Sequence, residues 1–133
     1  MAPRGRGHER PADIDALLAL MDDWPQSWAG DEDDEPIGRH LAAVLRPFMT
    51  RLHSEKLSPR TLRRHLDNLW VIGGEIIRKL NYEPALRTRP PTELLLDAVA
   101  DGEAPLVDDL TETEQTALDA TARKLLRFLT SPT

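Results

Sequence analysis

Residues 58–80 read SPRTLRRHLDNLWVIGGEIIRKL, and every local signal in them points to one long amphipathic helix. Ser58 has a side chain suited to capping a helix N-terminus. Pro59 fits the first helical position, where its missing N–H costs nothing. Leu62, Leu66, Leu69, Trp70, Gly73, Ile76, Ile77 and Leu80 then recur on one face for about five turns, so Trp70 is expected in the core. Arg60, Arg64, Asp67, Val71, Glu75 and Arg78 share the opposite face, and Asn81 with Pro84 marks the end. Two glycines inside a helix cost about 1 kcal/mol each relative to alanine. Gly73 lies on the apolar stripe, which predicts close approach of a crossing helix. A hinge or a groove for a partner's backbone is the alternative.

Working outward, Ile37, Leu41, Val44, Leu45, Phe48 and Leu52 form a second helical stripe, with Pro36 placed as its first residue. Pro47 falls inside it and is expected to kink or divide the helix. Ile14, Leu17, Leu18 and Met21 mark a helix from Ala12 to about Trp24. Trp24–Gly30 breaks that pattern, and the acidic run Asp31–Glu35 reads as exposed loop. Downstream, Thr92–Ala100 is a short helix closed by Asp101-Gly102. Thr111 and Glu114 form a capping box ahead of a helix burying Leu118, Ala122, Leu125, Leu126 and Leu129. No segment alternates with period two. The fold class is all-α, a single compact bundle of five or six helices over residues 12–133, with a disordered basic tail at 1–11.

A chain of 133 residues with 40% hydrophobic and 30% charged content has the make-up of one ordinary globular domain. The absence of cysteine excludes disulfides and thiolate metal sites. The longest apolar run, Ala16–Met21, is far short of the roughly 20 residues that span a bilayer. No signal-peptide core stands at the N-terminus, so a cytoplasmic protein without membrane contact is expected.

Enzymatic constellations are missing, and neither catalysis nor a cofactor is expected. The only adjacent glycines lie inside a helix, which leaves no phosphate loop. Asp31–Glu35 begins like a calcium loop, but Pro36 stands where an EF-hand needs Gly and Ala42 where it needs a bidentate Glu. His8, His40, His53 and His65 make no HxxxH pair, so no metal site is assigned. Asp108-Asp109 with Glu112 and Glu114 reads as a helix-start charge cluster rather than an acid–base pair.

Charge is the strongest functional signal. Residues 46–89 hold ten Lys/Arg against four acids, a net of +6, while residues 1–45 and 90–133 each come to −6. Either the basic centre meets an anion or its own flanks neutralise it. Lys56, Arg60, Arg63 and Arg64, gathered at the start of the long helix, are the candidate nucleic-acid contacts. No aromatic is interleaved with them, so any such binding would be to the phosphate backbone. Trp24 and Trp28 flank a proline and either cap the bundle or, if exposed, form a candidate protein contact.

Residues 48–80, FMTRLHSEKLSPRTLRRHLDNLWVIGGEIIRKL, resemble the helix–loop–helix of the core-binding (SAM-like) domain of tyrosine recombinases and phage integrases. That resemblance implies a basic helix lying against DNA. It does not extend to strand cleavage, because the catalytic Arg–His–Arg–Tyr set has no counterpart here. A second pattern, LSPRTLRRHLDNLWVIGGEIIRKL with PTELLLDAV and TEQTALDATARKLLRFL, resembles a group of small all-helical bacterial proteins of uncharacterised function. The expectation is a non-catalytic binding or adaptor protein recognising a macromolecule, first a protein. The alternative is a DNA-backbone-binding accessory protein of the mobile-element type.

Overall fold

The computed structural model describes residues 13–131, and the tail expected at 1–11 lies outside them. The long helix forms as its sequence dictates, from Pro59 to Tyr82, with the Ser58 hydroxyl accepting from the Thr61 N–H at 3.1 Å. It is the fourth of six α-helices among the described residues. α1 spans Ile14–Leu20, α2 Trp24–Trp28, α3 Asp34–Ser54, α4 Pro59–Tyr82, α5 Pro91–Ala98 and α6 Glu112–Thr130. Short 3-10 turns join them at Met21–Asp23, Pro84–Thr88 and Ala100–Gly102.

α3 and α4 are the central pair. Their apolar stripes meet through Leu41, Leu45, Phe48, Met49 and Leu52 on one side and Leu62, Leu66, Leu69, Ile72, Ile77 and Leu80 on the other, all buried. α5 covers the pair with Leu94 and Leu95, and α6 with Leu118, Ala122 and Leu125. Thr111 and Glu114 make the expected capping box, each side chain accepting from the other's backbone N–H at 3.1 and 2.9 Å.

Two expectations are corrected. Pro47 does not divide α3, which runs unbroken from Asp34 to Ser54. Pro47 and Ala43, whose carbonyl loses its partner, both face solvent, where water can take up that acceptor. The buried Leu45, Phe48 and Met49 hold the inner side in register. Nor is Trp24–Trp28 an open loop. Pro25 stands in the first turn of α2, where proline is tolerated, and this one-turn helix is driven inward by its two indoles.

Those indoles pack tightly against the central pair. Trp24 and Trp28 are only 7% and 8% exposed, tilted against each other with ring centroids 5.4 Å apart. The Trp28 ring is a wedge between α3 and α4. On one side lies Gly38, on the other Gly73, where an added Cβ would fall 2.3 Å from Trp28 Cζ2. Trp28 Nε1–H donates to the Trp70 carbonyl at 2.9 Å and locks the ring in place. What approaches Gly73 is therefore an indole rather than a crossing helix backbone.

The loop before α3 is fastened by a buried carboxylate. Asp34 is fully buried, and its Oδ2 accepts from the Gly30 and Asp31 N–H groups at 2.9 and 3.2 Å and from Asn81 Nδ2 at 3.3 Å. Its Oδ1 accepts from Arg87 at 2.8 Å. One of the five acids expected in an exposed loop thus ties the start of α3 to the end of α4 and the turn beyond it.

Candidate docking surface

α4 packs against α2, α3, α5 and α6 and leaves part of its surface exposed. The side toward α6 carries a buried polar cluster. Asn68 Nδ2 donates to Thr121 Oγ1 at 2.8 Å, and His65 Nδ1 hydrogen-bonds the same hydroxyl at 2.7 Å. A histidine beside a threonine hydroxyl is a base beside a nucleophile, but Thr121 is fully buried and the pair is sealed from any substrate. Burial pushes the His65 pKa below 6.5, the nearby Lys124 and Arg64 charges push the same way, and Glu55 opposes them.

The unfolded chain therefore takes up this proton more readily than the folded one. The stabilisation is complete above about pH 6.5 and drains away as the pH falls through that value toward the folded pKa. Thermal melts between neutral and mildly acidic pH should show Tm falling through this window in the wild type. His65→Gln should flatten that dependence. An unchanged slope in the variant would remove His65 as its source.

The side toward α1 and α2 holds the surface of interest. Leu20, Trp24, Leu66, Trp70 and Val71 line a shallow groove of about 490 Å³, bordered by Arg63 and Asp67. Trp70 is 43% exposed and Leu20 44%, two of the few large apolar side chains left open to water. This corrects the core placement expected for Trp70. It stands at the edge of the apolar stripe, and Trp28 occupies the interior position above Gly73. The Trp70 ring is also fixed in direction, because its Nε1–H donates to Ser27 Oγ at 2.9 Å and Ser27 in turn donates to the Trp24 carbonyl at 3.0 Å. The groove thus presents a rigid aromatic at low entropic cost.

The sequence-derived candidates sort as follows. Trp24 and Trp28 are buried, so the exposure on which their role as a protein contact depended is missing. Trp24 only forms part of the groove floor. Lys56, Arg60, Arg63 and Arg64 are exposed near the start of α4, and Lys56 adopts a left-handed backbone (φ 60°) in the α3–α4 turn. Arg63 is taken up by Asp67 at 3.1 Å. Lys56, Arg60 and Arg64 have no ion pair among the described residues.

Elsewhere the flanks do reach the centre. Arg46 pairs with Asp22, Arg87 with Asp34, and Arg89 with Glu93 and Asp97. The charge excess is thus partly neutralised; among the described residues the cations left without an ion pair include Lys56, Arg60 and Arg64 near the start of α4 and Arg78 and Lys79 near its end.

Two other cavities are less suited to an anchor. One of about 360 Å³, between α4, α5 and Pro105, mixes Glu75, Lys79, Glu83, Arg89 and Asp97 over an apolar floor. One of about 210 Å³, between α3 and α6, has Arg51 stacked over Phe128 and Lys124 near Glu55. Among the described residues no group of three or more His, Cys, Asp or Glu could hold a metal ion, and no helix is long and apolar enough to cross a membrane. In comparison with known proteins, the chain matches no family model, no curated protein and no solved structure.

Proposed function

We propose that the chain is a non-catalytic binding module of the cytoplasm that docks another protein through the groove centred on Trp70. The observation that carries this reading is an indole left 43% exposed in a groove while its N–H is anchored to Ser27. Exposed, pre-oriented tryptophan is the side chain most enriched among residues that dominate interface energies, and truncating one at a hot spot costs 2 kcal/mol or more, about 30-fold in Kd. Trp70→Ala should leave the fold intact, because the side chain lies outside the core cluster. A partner captured by immobilised wild type should be lost from Trp70→Ala while both proteins melt alike. Capture that is indifferent to Trp70 would refute the reading.

A second reading rests on Lys56, Arg60 and Arg64, exposed and without an ion pair among the described residues. Three exposed cations near one helix start suit a phosphate backbone. Duplex DNA binding that weakens steeply with salt and vanishes in Arg60→Glu/Arg64→Glu would favour it over the first.

A further inference from the structure

The cleft between α3 and α6, about 210 Å³, is walled mainly by positive charge. Arg51, Lys124 and Arg127 line it, and Glu55 is the only acid among the lining residues. That acid stands 3.8 Å from Lys124, too far for a hydrogen bond. Arg51 has no ion pair among the described residues and lies with its guanidinium carbon 5.9 Å from the Phe128 ring centroid. Arg127 is exposed and likewise has no ion pair among the described residues. The floor is aromatic, with Phe48 buried and its ring centroid 5.4 Å from that of Phe128.

Helix ends explain part of this cluster. Arg51 and Arg127 occupy the last turns of α3 and α6, where the helix dipole favours a cation. The dipoles do not balance it. With about half a negative charge at each helix end and Glu55 set against three cations, the walls keep an excess of about one positive charge. Arg51's place over the ring and the partial burial of Lys124 keep two of the three cations at the cleft.

We infer that this cleft binds a small phosphate monoester, its phosphoryl oxygens accepting from Arg51, Lys124 and Arg127 and its apolar substituent resting on Phe128. The chemistry selects that ligand. A phosphoryl group brings a charge of about −1.5 to −2 and three strong acceptor oxygens, one for each cationic side chain. Guanidinium forks match those oxygens bidentately. The volume admits one such group with a small substituent, and the space between helices of a bundle is a common seat for small ligands. The cleft shares no residue with the Trp70 groove, so either site can exist without the other.

Isothermal titration calorimetry of the full chain with phenyl phosphate is the test, with benzyl alcohol as the uncharged control and dimethyl phosphate as the diester of a nucleic-acid linkage. Phenyl phosphate should bind one-to-one with a Kd of about 1 mM or below, and the other two should not bind measurably. Arg127→Gln and Lys124→Gln should each weaken phenyl phosphate about tenfold. Glu55→Gln, which removes the competing acid, should tighten it. Arg60→Gln/Arg64→Gln, outside the cleft, should leave it nearly unchanged, and circular-dichroism melts establish that each variant is folded. No saturable binding would overturn the inference and leave the cations as partners of the helix ends. Binding of dimethyl phosphate or benzyl alcohol as tight as that of phenyl phosphate would also overturn it. So would a loss in Arg60→Gln/Arg64→Gln as large as that in Arg127→Gln, which would mark a diffuse attraction rather than a site.

Discussion

Gly73→Ala should destabilise the fold by about 2 kcal/mol, while Gly74→Ala, one residue on, should stabilise it by up to about 1 kcal/mol. Both changes relieve the same helix-propensity penalty of about 1 kcal/mol. They differ in what the new methyl group meets. At position 73 it would lie 2.3, 2.6 and 2.9 Å from three atoms of the Trp28 ring, and at position 74 its nearest neighbour, Trp28 Cδ1, is 3.4 Å away.

The Trp28 ring has nowhere to go. Gly38 lies on its far side, and its N–H is bonded to the Trp70 carbonyl. Overpacking a fixed site costs typically 1–3 kcal/mol, and this contact belongs at the upper end before the propensity gain is subtracted. Urea denaturation of the two variants measures the difference directly. Equal stabilities would mean that the indole is not wedged. Adding Trp28→Leu to Gly73→Ala should recover part of the loss, since the two sites are in contact and should couple.

Asp34→Ala should cost about 3 kcal/mol, the lower end of the range for breaking a buried pair, because Arg87 can still turn its guanidinium toward water. Asp34→Asn should cost less. The amide oxygen can still accept from Gly30 and Asp31, so the loop stays fastened, while the amide nitrogen replaces the acceptor for Arg87 and that hydrogen bond is lost with the charge. Arg87 already leaves Nη1 buried without a partner, so Arg87→Met in the Asp34→Ala background should restore some stability by removing the orphaned cation.

The pH dependence has a definite sign. Burial pushes the Asp34 carboxyl up, but the hydrogen bonds from Arg87, Gly30 and Asn81 and the Arg87 charge outweigh it and hold it below its ordinary 3.8. The contribution is present above about pH 4 and is lost as acid carries the solution through the folded-state pKa. Wild type and Asp34→Asn should differ in stability above that point, and the gap should close as acid protonates the carboxyl. Parallel curves would show the pair to be energetically silent.

These two sites also mark where the sequence stops being readable. The Ser58 cap, the Thr111–Glu114 box and the apolar stripe of α4 are local signals, each complete within a few residues, and the structure carries all three. Trp28 and Gly73 are 45 positions apart, and nothing in a Trp-Pro-Gln-Ser-Trp segment says that one ring will fill the gap over a distant glycine. The one available hint was Gly73 itself, a missing side chain on a face otherwise made of large ones. With Trp28 in that gap, Trp70 at the stripe's edge was left outside.

Asp34 and Arg87 pose the same problem in charge. Five acids in a row look alike in sequence, and only the fold selects which one turns inward. Net charges of blocks can be counted from the chain, but the pairing of Arg46 with Asp22, or of Arg63 with Asp67, needs the helices in place.

α1 contributes no fully buried residue; it leans on the bundle through Leu17 and Leu18 and is clasped from outside by Arg46, which donates to the Leu18 carbonyl at 3.2 Å. Such an element belongs to the low end of a protein's spectrum of opening energies. Its amide protons should exchange with solvent long before those of α4. Only one side of the groove is then permanently built, and a partner seated there would slow the exchange of α1, turning protection of its amides into a direct record of occupancy.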